Sequence, residues 1–520
     1  MNLLSDPWIP IRRHSGKRER IAPHEIVGQD DPIECVHTPR PDFDAALTEY
    51  LIGLVQTTLA PEDSAEWLDT IHDPPTQDEL RETFASVRPA FELRGGGSRY
   101  MQDLSLQKCQ VDPWPISRIL TDTPGETTIN QGRDFFTRRT YGTALCLPCC
   151  TAALHTLQTY AISGGCGHTV SIRGVSGLAT IIRKDTLWET VWANVLESQA
   201  FGDLPSEPAH IFPWLRRYAT PDLTERILPV DTHRLEVYWA MPRRIWLCAE
   251  PDQLGEGPCA LCGDPGPCVV EYLTRPRGIS YRGAWNHPLS PYVHREDKEP
   301  TARKVNVYGL GYRHWLGLVQ DGPDRKTTTI PAEAVRHYRQ QQHRLNGRTR
   351  VEAWGWVTES GKASAAAAWS CGTYPLLQVE REHVDDYEAD AARVISGSKF
   401  VAYCLSKAVR AIHENSSEAQ TRLWLDTEQP FYDLLSRVLG ALRCEESTRP
   451  LREEWHHALV HNTLRIFADC CGGSGLQKDL VLEARARKGL LRGLYSKKLR
   501  DLLDLPKPPR GGNKKRRPGV

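Results

Sequence analysis

The sequence contains no run of eighteen apolar residues, so no membrane-spanning helix is expected. Its opening, Met1-Asn2-Leu3-Leu4-Ser5-Asp6-Pro7, has neither the basic segment nor the apolar core of a secretory signal. With no such signal, 15 cysteines point to a reducing cytoplasm, and to metal-bound or free thiols rather than disulfides. Net charge is absent as well: 65 Lys and Arg balance 65 Asp and Glu, the profile of an ordinary globular chain. Internal repeats are missing. So are H-E-x-x-H, G-x-S-x-G, G-x-x-x-x-G-K-[ST] and any D-x-D cluster in a usable setting, which leaves no recognisable catalytic machinery. His287, in Trp285-Asn286-His287-Pro288, has no second ligand or base at a useful spacing and reads as a structural hydrogen-bonder. His456, His457 and His461 share one helix without a carboxylate or thiol at ligand spacing, and read as a polar face.

What is present begins with length. At 520 residues, 40% of them hydrophobic, the chain can build two or three domains with a large core. Trp8-Ile9-Pro10-Ile11 reads as a strand. A helix is expected from Asp42 as N-cap, with Ala46, Leu47, Tyr50, Leu51, Leu54 and Val55 at helical spacing. Thr76-Gln77-Asp78-Glu79 is a capping box leading into Leu80 and Phe84. Val170–Arg173, Leu178–Ile182 and Leu235–Trp239 read as strands, within a loop-rich region that holds ten of the 15 Trp. From about residue 383 the pattern turns helical. Four stripes follow: Tyr387 to Ile412; Phe431 to Leu442; Leu451, Trp455, Leu459, Asn462 and Ile466; and Leu480, Ala484, Leu491, Leu494, Leu499 and Leu502. Asn415-Ser416-Ser417, Pro450 and Gly472-Gly473-Ser474-Gly475 break them. The expected fold is α+β: a mixed, loop-rich domain over 1–382, a four-helix bundle over 383–505, and a basic tail without a core over 506–520.

Four cysteines organise the first domain. Cys146-Leu147-Pro148-Cys149 and Cys259-Ala260-Leu261-Cys262 each have C-x₂-C spacing, which lets two thiolates on one turn grip one ion. Together they make a closed S₄ shell, the usual structural zinc arrangement, stapling distant segments and leaving no open position for chemistry. Cys150 and Cys268 stand near enough to substitute for either pair.

Three loops gather near these pairs. Gly164-Gly165-Cys166-Gly167 follows a helix and precedes an extended stretch with Arg173-Gly174. That order is the reverse of a phosphate loop, so nucleotide binding is rejected. Such a turn either brings bare backbone to a ligand or merely reverses the chain. Asn130-Gln131-Gly132-Arg133 precedes the first pair, and Arg275-Pro276-Arg277-Gly278 follows the second. Asn and Arg can read base edges or phosphate, so the cluster suggests a nucleic-acid surface. Charge is also uneven. Lys478–Val520 holds 14 Lys and Arg against 4 Asp and Glu, leaving 51 against 61 elsewhere; a basic end suggests polyanion contact.

The opening Met1-Asn2-Leu3-Leu4-Ser5-Asp6-Pro7-Trp8-Ile9-Pro10 resembles the start of the large subunit of type I-E CRISPR Cascade complexes, the CasA family. Ala144-Leu145-Cys146-x₂-Cys149, the glycine turn with Arg173-Gly174, Cys259-x₂-Cys262-Gly263, Trp285-Asn286-His287-Pro288-Leu289-Ser290-Pro291 and the helical bundle then match in order, across essentially the whole chain. The resemblance implies a non-enzymatic subunit with structural zinc. Such a subunit inspects duplex DNA for the protospacer-adjacent motif, helps open the duplex, holds displaced strand and recruits a helicase–nuclease. Its partners would be the target duplex, the displaced strand, the CRISPR RNA-containing subunits and the helicase–nuclease, with no membrane.

Carried over by residue, the resemblance makes Asn130 part of a loop near the motif, although Thr128 stands where an aromatic can occur. Gly164, Gly165 and Gly167 form the turn that approaches the minor groove. Arg277 matches a motif-reading Lys, with Arg275 as competitor. Gly361, Lys362 and Ala363 fall where the family inserts a wedge, commonly Asn-Gln-Ala; Lys362 in place of Gln puts motif preference in doubt. Arg485, Arg487, Lys488, Arg492, Lys497, Lys498 and Arg500 would bind strand backbone. Two other classes compete. A zinc nuclease would need an open metal position, and a scaffold binding only proteins would use its basic end for solubility.

Overall fold

Ile9 to Arg13 alternates buried and half-exposed side chains and forms the middle strand of an antiparallel sheet, between Arg18–Ile21 and Ile33–Val36. This and all that follows come from a computed structural model that describes residues 1–28, 30–108, 110–124, 129–132, 141–162, 167–216, 225–305, 309–324, 326–358, 366–412, 416–472 and 480–506. The described chain divides into two units: Met1–Leu310 with Gly317–Leu376, and Gly311–Leu316 with the chain from Leu377 onward.

The centre of the mixed unit is the helix Pro41–Thr58, buried almost all round. Its start corrects the sequence expectation. Arg40 is the N-cap, Pro41 occupies the first turn where no N–H is needed, and Asp42 lies inside the helix. The Asp42 carboxylate accepts from Arg40 Nε at 3.0 Å and Nη2 at 2.9 Å, so it serves an ion pair instead of a cap. Tyr50 of this helix meets Trp8, Phe91, Tyr100 and Trp239 edge-on, a cluster of large rings at the core. The Thr76–Glu79 capping box is present, with Leu80 and Phe84 buried behind it.

Among the described residues the strands form six small sheets rather than one large one. The longest hairpin pairs Arg350–Thr358 with Ala366–Pro375, and Ala179–Arg183 joins its other edge. Leu178–Ile182 therefore does contain a strand, displaced by one residue. Val170–Arg173 is not a strand, because Arg173 turns inward to an ion pair described below. Leu235–Trp239 is a single helical turn, Glu236–Trp239, with all four side chains buried. Glu236 tolerates burial there because Arg216 grips it at 2.7 Å and Tyr281 donates to it at 3.0 Å.

The second unit is helical: Val384–Arg410, Ser417–Asp426, Glu428–Arg443, Arg449–Gly472, Leu480–Leu494 and Lys497–Leu502. The first three stripes fall on Val384–Arg410, Glu428–Arg443 and Arg449–Gly472, with Pro450 in the first turn of the third. The fourth is corrected. Its buried face is Ala486, Leu490 and Leu494, while Leu480 and Ala484 are exposed, and Ser496 starts a separate short helix by capping Leu499 at 3.2 Å. Tyr312 belongs to this unit and stacks on Phe431 at 4.4 Å, its hydroxyl paired with Thr427 Oγ1 at 2.9 Å. No helix among the described residues is long and apolar enough to cross a membrane.

Candidate metal centre and nucleic-acid interface

Backbone pairing brings the two cysteine pairs together. Leu145–Cys146 pairs antiparallel with Pro265–Val269, which also pairs with Gly255–Pro258. Cys146 is then the N-cap of the helix Leu147–Thr159, placing Cys149 in its first turn. The second pair sits at the turn of the hairpin between the other two strands. There Cys259 N–H donates to Asp264 at 2.8 Å, and Gly263, at φ +81°, donates to Cys259 at 2.9 Å. Ala260 N–H also donates to the Ala144 carbonyl at 2.8 Å, locking one pair against the other.

The four sulfurs lie within 4.8 Å of one another, and Cys146 Sγ is 3.7 Å from Cys262 Sγ. A tetrahedral shell with metal–sulfur bonds near 2.3 Å has edges of about 3.8 Å, so the donor set fits one four-coordinate ion. Cys150 and Cys268 are buried outside the group. The protonation chemistry agrees. Cys149 is pushed far up by its contacts with Cys146 and Cys259 and by burial, while Cys259 is held down by hydrogen bonds from Cys146 and Cys149. A divalent ion bound by the cluster would stabilise its thiolates. Sequence reasoning missed Arg20, whose Nη2 lies 3.6 Å from Cys262 Sγ and 2.5 Å from Asp264. It sits on the strand Arg18–Ile21, 242 residues from Cys262, and nothing in its neighbourhood of sequence signals the contact.

From this knot two paths lead to the other candidate loops. The helix Leu147–Thr159 runs about 20 Å, at 1.5 Å per residue, toward the glycine turn. The strands Pro265–Val269 and Glu271–Arg275 run to the basic loop. The two ends meet: Arg277 N–H donates to the Gly167 carbonyl at 2.8 Å. Gly167 has φ +80°, and a Cβ there would stand 3.0 Å from Pro276 Cβ, so a side chain would push the loops apart. Gly278 backs against the Pro242 carbonyl with no room for a Cβ, and Thr169 Oγ1 donates to that same carbonyl. Arg277 itself has φ +67°, unusual for a residue with a side chain, and is exposed; Arg275 is half-buried. The structure therefore joins Gly167 and Arg277 in one surface patch.

Asn130 is exposed in a turn closed by the Gly132 N–H to the Ile129 carbonyl at 3.0 Å. Gly164 and Gly165 lie outside the described residues, as do Gly361, Lys362 and Ala363, in the connection of the long hairpin. Arg485, Lys488 and Arg492 are exposed on one face of Leu480–Leu494, opposite its buried stripe.

Arg173 is wholly interior. It pairs with Glu49 of the central helix and donates to Ser290 Oγ at 2.8 Å, and its Nη2 lies 2.8 Å from His287 Nε2. Glu49 also accepts from Tyr160 and from Trp354 Nε1, the latter at 3.2 Å. His287 is therefore structural, and burial, followed by the charge of Arg173, drives its pKa well below the ordinary value. The Trp285–Pro291 segment contributes His287 and Ser290 to this network.

The model of the CRISPR-associated protein Cse1 family matches residues 2–466. Solved structures share the fold. Thermobifida fusca Cse1 is 17% identical with a TM-score of 0.71, covering 97% of this chain and 98% of its own. Thermus thermophilus CasA (Cse1) is 17% identical with a TM-score of 0.69, covering 95% and 99%. A chain of a CRISPR RNA-guided surveillance complex is 14% identical with a TM-score of 0.68, covering 94% and 99%.

Proposed function

Because this chain belongs to the CRISPR-associated protein Cse1 family, we propose that it is the non-catalytic large subunit of an RNA-guided DNA surveillance complex acting in the cytoplasm. In this reading the mixed domain, 1–382, reads the protospacer-adjacent motif in duplex DNA. Base pairing with CRISPR RNA then reads the target, and the subunit promotes duplex opening and recruits a helicase–nuclease. The observation that carries it is the Gly167–Arg277 patch: bare backbone beside an exposed arginine, held by elements that start at the cysteine centre. Bare backbone can enter a groove that side chains could not, and an arginine beside it can contact base edges or phosphate.

The other roles follow. Gly164 and Gly165 act with Gly167 as the turn that approaches the minor groove, Arg275 is the alternative reader to Arg277, and Asn130 contacts the duplex near the motif. Gly361, Lys362 and Ala363 act as a wedge at the first base pairs. Arg485, Lys488 and Arg492 bind displaced strand along the 383–505 bundle. Zinc is the ion of the Cys146, Cys149, Cys259 and Cys262 centre, since an all-thiolate shell suits it and keeps no open position for catalysis.

The test is duplex binding by the assembled complex with the flanking motif randomised. A defined set of motifs should be selected, and Gly165→Asp should lose that selection, because a carboxylate would occupy the backbone's place and repel phosphate. A folded, fully assembled Gly165→Asp complex that selects the same motifs as before would refute the reading.

A further inference from the structure

Two consecutive arginines enter the interior of the mixed unit, and the fold treats them differently. Arg244 is neutralised: Nε donates to Asp103 at 2.6 Å and Nη2 to Ser105 at 3.0 Å. Arg243 is hidden too, 5% exposed, and among the described residues no carboxylate acts on it. Its Nη2 donates to the Ile162 carbonyl, and its Nε has no partner. Burial pulls the guanidinium down to about 10, with only Tyr272 opposing. The residue is not there by accident of packing. Gln158 fixes its backbone from both sides, accepting from Arg243 N–H at 2.9 Å and donating to its carbonyl at 3.0 Å.

A buried cation without a counter-charge is costly. The carbonyls that follow the helix Leu147–Thr159, of which Ile162's accepts from Nη2, offset part of that cost. They do not complete the set, since Nε is left over. The location of the excess charge is informative. Pro242, the preceding residue, contacts Thr169 and Gly278, which flank Gly167 and Arg277. Arg243 thus lies under the patch whose surface is Gly167, Pro276 and Arg277, all exposed. His168, beside it, is pulled down to about 4 by burial and then by the charge of Arg243, so it stays neutral near pH 7 and adds no second cation.

We propose that Arg243 is the buried half of an anion site under the Gly167–Arg277 patch, and that its missing counter-charge is a backbone phosphate of bound DNA. This rests on the function proposed above. The phosphate is met from solvent by Arg277 and from beneath by Arg243, whose field crosses a low-dielectric wall and is screened little by salt. Such a contact positions the duplex and carries no sequence information.

The full chain and the assembled complex test this with Arg243→Gln and Arg243→Lys. In the isolated chain at low ionic strength, Arg243→Gln should melt no lower than wild type, because an unpaired charge is removed. Titration with inorganic pyrophosphate should raise the melting temperature of wild type and of Arg243→Lys, and barely that of Arg243→Gln. In the complex, Arg243→Gln should weaken duplex binding about tenfold and lower the salt slope by about one, with motif preference unchanged. An Arg243→Gln chain that melts well below wild type yet keeps the pyrophosphate shift would make Arg243 a brace for the helix end and overturn the proposal. So would an unchanged salt slope. A wild-type complex that ignores DNA while the pyrophosphate difference persists would overturn the DNA phosphate as counter-charge and the functional reading, leaving an anion site for another polyanion.

Discussion

Glu49 and Arg173 are buried against each other, with Arg173 also directed at Ser290 and His287 and Glu49 accepting from Tyr160 and Trp354. Removing one member of such a pair strands the other. Glu49→Gln is expected to lower unfolding free energy by about 3–5 kcal/mol, and the double replacement Glu49→Leu with Arg173→Met by clearly less. Urea denaturation of both variants measures the difference, and equal losses would show that the pair is not coupled. Nothing in the sequence marks this network. Arg173 appears beside a glycine turn, where an arginine reads as ligand-facing, and its carboxylate is 124 residues away on a helix whose apolar stripe hides a charge. Asp44 carries a different liability. Burial raises its carboxyl to about 6, against the Thr38 N–H that favours ionisation. The folded chain therefore holds a proton there that the unfolded chain releases near pH 4, and stability from this group falls as pH rises from about 4 to 6. Asp44→Asn keeps the acceptor for Thr38 and removes the penalty. It should stabilise at pH 7 by roughly 1–3 kcal/mol and make no difference below pH 4, read from denaturation midpoints across pH.

The helices of the second unit were legible because each must bury one stripe, and a 3.6-residue period records that need directly. Tyr387, Val394, Leu405, Phe431, Val438, Trp455 and Leu459 are all buried as their spacing requires. The rule failed where two faces were both apolar. Leu480 and Leu491 fit a stripe by composition, but the buried face is set by Ala486, Leu490 and Leu494, and small Ala486 gives little signal. Leu235–Trp239 failed for a related reason: burial on every side erases periodicity, so alternation of Glu236 between apolar residues imitated a strand. The short helix Ser417–Asp426 has only Ala419, Leu423 and Trp424 buried, too few to show a period. Placing the buried stripe on Ala486 leaves Arg485, Lys488 and Arg492 uninvolved in packing. Replacing all three with Ala should leave the melting temperature within a degree or two and flatten the salt dependence of target binding by up to about three counterions. Motif preference should not change. An unaltered salt slope would make this face merely solvated surface, and an altered preference would place the reader in the wrong unit.

The cysteine centre was visible because C-x₂-C is a geometric statement about one turn. That the two turns share a sheet was not, since pairing of Cys146 with Cys268, 122 residues on, leaves no local trace. Elemental analysis should find one zinc per chain. Cys259→Ser should lose it and lower the melting temperature, with the helix Leu147–Thr159 and the Gly167–Arg277 junction exchanging amide hydrogens faster than the rest of the unit. Full zinc content in Cys259→Ser would refute the assigned shell.

The separation of the half-sites also sets an order of events during synthesis. Cys146, Cys149 and Cys150 leave the ribosome well over a hundred residues before Cys262, a delay of about 5–20 s at common elongation rates. Through that interval the strand Leu145–Cys146 has no Pro265–Val269 to pair with, and the Cys146 and Cys149 thiols stand without their partners. The nascent chain is then open to oxidants and to soft metal ions that a finished S₄ shell would refuse. Cellular yield of the subunit should therefore respond to copper or oxidative stress during its translation, and much less once it has been made.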